Sequence, residues 1–342
     1  MTDATETGGF QAPGEEHPFA RYIRILGKGK TGSRSLDFEE ARAAFNMLLR
    51  GEAEEVQRGA FLMLLRVKEE TGEELAGFVE ACRDNMVAPP SGLRADLDWS
   101  SYAGKKHQHP WFILSVLLLA QAGYRVLLHG SDGHTPGRLY TERALSQLGL
   151  PVADSWDEVA EQLDEQGISY LPLRQFCRPL HEMMQLRPLF GLRSPVNTLA
   201  RMLNPVRAGS SIQSVFHPAY ATLHQEADSL LGQPAAMVFK GDSGEVEVKP
   251  QADTRLSLFR QGEQQELLMP RERPGRVEAV TSPDIGPLQQ LWRGARLDPY
   301  GEAATLATAS AALLLLRGDS DINAAREQAT GLWRARDTGI LG

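Results

Sequence analysis

After residue 90, short apolar segments alternate with amphipathic helical segments, and this alternation constrains the fold more than any other feature of the sequence. The apolar segments read ADLDW, YRVLLHG, SYLPL and AAMVFKG, and the intervening segments include PWFILSVLLLAQAG and SWDEVAEQLDEQG. Strands that alternate with helices form a mostly parallel sheet with helices on both faces. The sequence therefore predicts an α/β domain over residues 91–342, with a polar, turn-rich stretch at residues 256–274.

The first 90 residues have a helical pattern instead. In DFEEARAAFNMLLRG the apolar residues recur at helical spacing and Gly51 ends the pattern, and two later segments repeat it. We expect a helical domain over residues 19–90, preceded by a mobile leader at residues 1–18. A helix-loop-helix segment at residues 175–206 is expected to return to this domain and to form a cleft with the sheet.

The composition excludes several classes of protein. The chain has 342 residues, a formal net charge of -8 and two cysteines, Cys82 and Cys177. Two cysteines can form neither the disulfide framework of a secreted scaffold nor a four-cysteine zinc site. The N-terminus lacks the basic and apolar regions of a signal peptide, and the longest apolar run is too short to cross a bilayer. We therefore expect a soluble, cytoplasmic protein with no membrane partner.

Three loops that follow predicted strands carry the residues of greatest chemical interest. They read SYAGKK, HGSDGHTPG and FKGDSGE, and the carboxyl ends of parallel strands meet at one edge of a sheet. In the first loop Gly104 precedes Lys105 and Lys106 at the start of a helix, where backbone N–H groups and ammonium charges can hold phosphate. The nearby Tyr102 and Trp111 could stack on bases, although core packing is the better explanation of Trp111, whose neighbours are apolar.

Positive charge is concentrated in a few segments of this acidic chain. Residues 21–36 contain five basic residues and no acid. Residues 174–207 contain a single acid, Glu182, and six arginines: Arg174, Arg178, Arg187, Arg193, Arg201 and Arg207. A net charge of -8 argues against a surface that is basic all over, so contact with a polyanion would be local.

The order of motifs resembles the anthranilate phosphoribosyltransferase family, glycosyltransferase family 3, across nearly the whole chain. QRGAFLMLLRVKEETGEELAGF resembles a segment of the family's helical domain, and LLHGSDGHTPG lies where the family has a Lys-His-Gly-Asn loop. GLRSPVNTLARMLNP is similar to the signature that begins Gly-x-Arg-Thr-x-Phe-Asn. The resemblance implies the nucleoside phosphorylase/phosphoribosyltransferase fold, with a small N-terminal helical domain, which forms the dimer interface in this family, and a larger α/β domain. We therefore expect a homodimer.

The departures from the family pattern fall on its chemistry. Family enzymes hold phosphoribosyl pyrophosphate on a Gly-Thr-Gly-Gly-Asp-Gly loop, of which only Gly104 remains. The family's magnesium-binding Asp-Glu pair falls on Val246 and Glu247, and a valine offers no oxygen ligand. We therefore expect no cofactor and no metal site, only a remnant at Glu247. The positions that match the family's substrate and phosphate residues are Gly104, His129, Gly130, Ser131, Asn197 and Arg187, the last of which matches the arginine that meets the anthranilate carboxylate.

Three functions remain open from the sequence. The first is an active phosphoribosyltransferase with an altered acceptor, which would need magnesium. The second, which we favour because the resemblance extends to the YbiB-like branch and implies DNA binding, is a nucleic-acid-binding homodimer. Its contacts would be Lys105, Lys106, Arg187, Arg193, Arg201 and Arg207. The third is a structural remnant whose charges are only solvated. Single-stranded DNA, duplex DNA and RNA stay undistinguished, because phosphate contacts carry no sequence information.

Overall fold

The computed structural model of the chain describes residues 14–29, 31–133, 135–275 and 277–341. Most of the predicted leader, residues 1–13, lies outside the described residues, as does Lys30 of the basic N-terminal segment. Of the described helices, none combines the length and the apolarity that crossing a membrane requires.

Four helices form the N-terminal domain: α1 (Ala20–Gly27), α2 (Phe38–Leu49), α3 (Glu55–Lys68) and α4 (Gly72–Asn85). Capping boxes fix where two of them begin, since the Asp37 side chain accepts from the Glu40 N–H and the Thr71 side chain from the Glu74 N–H. The apolar faces of the helices meet in a core that includes Phe61 and the contacting rings of Phe45 and Phe78. The predicted N-terminal helical domain is confirmed.

Seven strands form one sheet in the order β3-β2-β1-β4-β5-β6-β7. Their bounds are β1 (Leu97–Ser101), β2 (Val126–Gly130), β3 (Ile168–Pro172), β4 (Ser210–Val215), β5 (Ala235–Lys240), β6 (Thr254–Arg260) and β7 (Glu263–Met269). Strands β1 to β5 pair in parallel, whereas β6 and β7 form an antiparallel hairpin at one side. The mostly parallel sheet is confirmed. The turn-rich stretch predicted at residues 256–274 is wrong, because β7 is a polar edge strand whose exposed residues hide the period of two.

Helices cover both faces of the sheet. The remaining ones are α5 (Phe112–Gln121), α6 (Thr141–Leu148), α7 (Trp156–Gln166), α8 (Leu173–Phe176), α9 (Arg178–Met184), α10 (Arg187–Phe190), α11 (Val196–Leu199), α12 (Tyr220–Leu230), α13 (Gly286–Trp292), α14 (Pro299–Arg317) and α15 (Ile322–Ala335). One hydrophobic core joins one face of the sheet to α5, α13, α14 and α15. Because α5 lies between the strands and α14, it is buried on almost every side, which explains its unbroken apolar sequence.

The short helices α8 to α11 pack on the N-terminal helical domain. Leu180, Met184 and Leu199 lie in the same core as Phe78 of α4. A hydrogen bond of 2.9 Å from Arg83 Nε to the carbonyl of Leu203 ties the segment to α4. This arrangement places the segment from 187 to 201 beside the carboxyl ends of the central strands, where the loops of the candidate site lie.

Candidate functional site

The loops at the carboxyl ends of β1, β2 and β5 form the candidate site, and we call their described residues together the rim: residues 101–106, 131–133, 135–140 and 241–247. One side chain joins all three, because Arg138 Nη1 donates to the carbonyls of Ala103, Gly104 and Ser243 at 3.0, 2.8 and 3.1 Å. The expectation that these three loops meet is confirmed. Parallel strands carry their following loops to the same edge, so the arrangement follows from the topology.

A carboxylate of the protein occupies the backbone donors of the first loop. Glu245 Oε1 accepts from the N–H groups of Ala103 and Gly104 at 2.7 and 2.5 Å, and Glu245 Oε2 accepts from Ser101 Oγ at 2.6 Å. Gly104 has a φ of 68°, a conformation that turns consecutive N–H groups toward one anion. The donors that could hold a phosphate therefore already hold a side chain that is 1% exposed.

An ammonium of the protein lies between two carboxylates on the other side of this loop. Lys105 Nζ donates to Asp242 Oδ2 and Glu247 Oε1, and the Lys105 side chain is fully buried. Glu247 also accepts from the N–H of Phe112, at the start of α5, at 2.9 Å. Burial opposes the charge of Lys105, but the charges of Glu247 and Asp242 outweigh it and raise the pKa of Lys105 above its usual value. Lys105 is thus unavailable to an external phosphate, which corrects its predicted role.

The residues at positions 246 and 247 do not fit a magnesium site. Val246 is buried in the core, and Glu247 is engaged by Lys105 and by α5. Magnesium requires several oxygen ligands in octahedral geometry. Within the part of the chain that the structure describes, no group of three or more His, Cys, Asp or Glu side chains could hold a metal ion.

Four arginines surround the cleft beside the rim, and we call them the arginine cluster: Arg138, Arg187, Arg193 and Arg201. Arg193 is half-buried, and no hydrogen bond or ion pair joins its guanidinium to another described residue. Burial, followed by the charges of the other three arginines, lowers the pKa of Arg193 to about 10. Positive charge that is crowded and partly removed from water is stabilised by an anion.

Neutral groups hold the other members of the cluster in place. Arg201 is 8% exposed, and its Nη1 donates to the carbonyls of Ser214 and Gly244 at 3.1 and 2.7 Å. Arg138 donates to the three carbonyls of the rim described above, and Arg187 donates to the hydroxyl of Thr135. The carbonyl groups carry no net charge, so they position Arg138 and Arg201 without forming an ion pair, and Glu245 is the acid whose charge acts on Arg201.

The remaining basic residues predicted to contact nucleic acid are Arg207, which lies away from the rim, and Lys106, which lies on the first loop of the rim. Arg207 is exposed and forms an ion pair of 3.2 Å with Glu80 of α4, a carboxylate that it shares with Arg83. Lys106 is exposed next to the buried Lys105. Arg138 was not among the predicted residues. The sequence feature that could have indicated it is its place at the end of the loop HGSDGHTPGR, which follows β2.

The positions that match the family's substrate residues lie mostly beneath the surface. His129 is fully buried, with Nε2 3.1 Å from Asp98 Oδ1 and Nδ1 2.6 Å from the Tyr102 hydroxyl. Ser131 Oγ lies 2.9 Å from His181 Nδ1. Gly130 is required by close approach, since a Cβ there would lie 2.1 Å from the carbonyl oxygen of Ser101. These residues therefore stabilise the buried side of the rim.

The two aromatic residues considered for base stacking are also buried. Tyr102 and Trp111 are each 1% exposed. Trp111 packs against Gly301 of α14, where a Cβ would lie 2.7 Å from the indole ring. Core packing is thus confirmed for Trp111, and neither ring is available to a ligand.

Comparison with known proteins places both domains in one family. Residues 20–86 match the helical bundle domain of a glycosyl transferase family, and residues 113–334 match the α/β domain of the same family. An uncharacterised protein, YbiB, from Escherichia coli K12 is 30% identical over 70% of this chain and 76% of its own length. An anthranilate phosphoribosyltransferase from Syntrophomonas wolfei is 28% identical over 70% of this chain and 68% of its own.

The fold is shared with a solved structure. The crystal structure of anthranilate phosphoribosyltransferase from Thermus thermophilus superimposes with a TM-score of 0.75 at 21% identity. The match covers 95% of this chain and 99% of that one.

Proposed function

This chain belongs to the glycosyl transferase family whose members include the anthranilate phosphoribosyltransferases, and from this premise we propose that it binds nucleic acid through phosphate contacts at the arginine cluster. The observation that carries the proposal is Arg193, a half-buried guanidinium that has no acidic partner among the described residues and faces three further arginines. A group of this kind lowers its energy when a phosphate oxygen replaces the missing counter-charge.

The contacts within the rim disfavour transfer of a phosphoribosyl group, the reaction of the family enzymes. Transfer of a phosphoribosyl group requires donors for the departing pyrophosphate and a cation that neutralises it. Here Glu245 occupies the N–H groups of Ala103 and Gly104, and Lys105 occupies the position between Asp242 and Glu247. An anion brought to these donors would have to displace a buried carboxylate. We therefore regard the sugar diphosphate site as degenerate.

The outer part of the cleft carries positive charge that can bind a polyanion. The arginine cluster lies on the helical-domain side of the rim, and within the described residues Arg138, Arg193 and Arg201 donate to no carboxylate. Lys106 adds an exposed ammonium on the first loop. Contacts of this type hold a phosphate backbone without reading its sequence. Nucleic acid binding by this overall acidic chain would therefore be confined to one groove.

We also propose that the protein acts as a homodimer through its helical domain. Two large apolar side chains on the helical domain are exposed in the single chain. Val56 of α3 is 78% exposed, and Leu189 of α10, which packs on this domain, is 81% exposed. A second copy of the same surface would cover them. Two clefts in one dimer would bind a long strand with higher avidity than one cleft alone.

A salt series distinguishes the alternatives. The purified protein is titrated into a fluorescent single-stranded oligonucleotide at several salt concentrations, and magnesium-dependent consumption of phosphoribosyl pyrophosphate is measured in parallel. Binding through phosphates predicts a fall in affinity with a log-log slope of about -0.7 for each neutralised phosphate on a single strand. Consumption of the sugar diphosphate without oligonucleotide binding would support the transferase instead. If the protein shows neither activity, the third alternative, a structural remnant, is supported.

A further inference from the structure

A cavity beneath Arg193 indicates which part of a bound nucleic acid this site receives. The cavity has a volume of about 160 Å³ and lies between α3, the segment 193–201 and the loop after β4. We propose that it receives one unpaired pyrimidine base of a bound single strand, which stacks on Phe216 and donates a hydrogen bond to His224. This inference rests on the proposed nucleic-acid binding.

The volume suits a single six-membered ring. A cavity of about 150 Å³ in a protein core is large enough for one benzene molecule. The cavity beneath Arg193, at about 160 Å³, therefore accepts a pyrimidine more readily than the fused rings of a purine. Its wall is mixed, with hydroxyl and amide groups from Ser194, Asn197 and Thr198 beside aromatic rings. A heterocycle with polar edges fits such a wall better than a hydrocarbon does.

An exposed aromatic ring stands at the entrance. Phe216 is 53% exposed, although it follows directly on the buried residue Val215 at the end of β4. It contacts the ring of His217 edge to face, with the centroids 5.0 Å apart, and about half of the Phe216 side chain stays exposed. Aromatic side chains in this position hold unpaired bases by stacking. Phe216 supplies the aromatic contact that Tyr102 and Trp111 cannot make, because both are buried.

A buried histidine, His224, is among the residues that line the cavity. His224 is 1% exposed, and its Nδ1 lies 2.7 Å from Gln213 Oε1. Gln213 Nε2 donates to Asp228 Oδ1 at 3.1 Å, so Gln213 Oε1 must accept and the proton of the histidine lies on Nδ1. His224 Nε2 is then a bare acceptor, and no described residue donates to it.

The charge state of His224 agrees with this tautomer. Burial, followed by the charge of Arg201, lowers the pKa of His224 to about 3, so the ring stays neutral at physiological pH. A buried acceptor without a donor is costly, and a ligand that brings an N–H group removes the cost. The N3–H of thymine or uracil and the amino group of cytosine are such donors, and both lie on the edge that pairing in a duplex would occupy. This favours an unpaired base.

Arginines at the entrance provide for the phosphates that flank the base. Arg193 and the exposed Arg66 both line the cavity, and the buried acid Glu70 lies beside Arg66 in its wall. A base inserted below Arg193 would leave its 5′ or 3′ phosphate at the level of the arginine cluster. The same strand would then satisfy the guanidinium of Arg193 and the imidazole Nε2 of His224 together.

The test compares two strands that differ only in their bases. A fluorescent oligothymidylate and an abasic strand of the same length carry the same phosphates, so backbone contacts alone bind them equally. We expect the wild-type protein to bind oligothymidylate about tenfold more tightly, as one stacked base contributes. Phe216→Ala and His224→Phe should each reduce this preference. Leu230→Ala, an exposed leucine on α12 outside the cavity, should leave it unchanged.

The outcomes separate this inference from the function on which it rests. Equal wild-type affinity for the two strands, or a preference that survives Phe216→Ala, would overturn the base pocket and leave phosphate binding intact. Because His224 is buried and its replacement can disturb folding, the exposed Phe216 decides the result. If neither strand binds, the proposed function fails, and the pocket with it.

Discussion

The ammonium of Lys105 donates to the carboxylate of Glu247 with both side chains completely buried. Asp242 completes the group on the other side of the same nitrogen. A cation and two acids of the protein itself therefore fill the part of the rim where the family pattern places its magnesium carboxylates. The arrangement makes Lys105 a structural residue, and it leaves interaction with external phosphate to the arginine cluster.

Replacement of Lys105 by methionine should destabilise the fold strongly. The variant leaves Glu247 buried without its cation and Asp242 with only Lys249, at 3.5 Å, and breaking a buried ion pair in this way typically costs about 3–5 kcal/mol. Urea denaturation followed by circular dichroism measures the loss. Lys106→Met is the matched control, because the neighbouring lysine is exposed and its replacement should change the free energy of unfolding by less than about 0.5 kcal/mol. Similar stability of both variants would refute the structural role of Lys105.

Replacement of Glu245 by alanine should create an anion site. The change frees the N–H groups of Ala103 and Gly104 and the hydroxyl of Ser101, which then face a cavity of carboxylate size. We expect Glu245→Ala to bind inorganic phosphate more tightly in titration calorimetry than do the wild type and Glu263→Ala, which is altered at an exposed position on β7. Heat of binding that is equal in all three proteins would show that Glu245 does not block these donors.

Asp228 should make the stability of the protein depend on pH. Burial, opposed only in part by the hydrogen bond from Gln213, raises the pKa of Asp228 from 3.8 to about 7. The folded chain therefore keeps a proton that the unfolded chain releases, so stability falls as the pH rises from about 4 to about 7.

Asp228→Asn removes this titration and keeps the side-chain shape. Relative to the wild type, the variant should gain up to about 4 kcal/mol of unfolding free energy between pH 4 and pH 8, as follows from a shift of about three units. Denaturation of both proteins across that pH range measures the difference between their unfolding free energies. The contributions of the other titrating groups cancel, because the two proteins share them. A difference that is constant with pH would contradict the raised pKa.

Charges on the exposed apolar surface of the helical domain should dissociate the proposed dimer. Val56→Glu and Leu189→Glu each place a carboxylate at a position that is mostly exposed in the single chain, so folding should be unaffected. Light scattering should give the mass of a dimer for the wild type and of a monomer for the double variant. A dimer that persists would move the interface elsewhere.

Much of the architecture could be predicted from the sequence, because the fold depends on patterns that are local. The helices of the N-terminal domain carry an apolar period, and the parallel strands β1, β2, β3 and β5 each lie in a short apolar run. Strand β4, with the sequence SSIQSV, and the polar edge strand β7 carry no such period. Their pairing is set by the neighbouring strands and by the hairpin between β6 and β7.

The chemistry of the rim was less accessible to sequence reasoning. Lys105 reads as a phosphate-binding residue because its partners, Asp242 and Glu247, lie 137 and 142 positions away and meet it only in the folded chain. Arg207 likewise reads as part of a basic segment until Glu80 of the helical domain is placed beside it. Charge counted along a segment cannot reveal which charges are compensated across the fold.

The most direct test of the account is the affinity of Arg193→Glu for a single-stranded oligonucleotide at low salt, measured beside Arg334→Glu. The control arginine is exposed on α15, away from the rim, so both variants change the net charge equally. We predict that Arg193→Glu loses about tenfold or more in affinity and that its log-log salt slope becomes shallower by about 0.7, the value of one phosphate contact on a single strand, whereas Arg334→Glu matches the wild type. Wild-type affinity and salt slope in Arg193→Glu would contradict the claim that the arginine cluster holds the phosphate backbone.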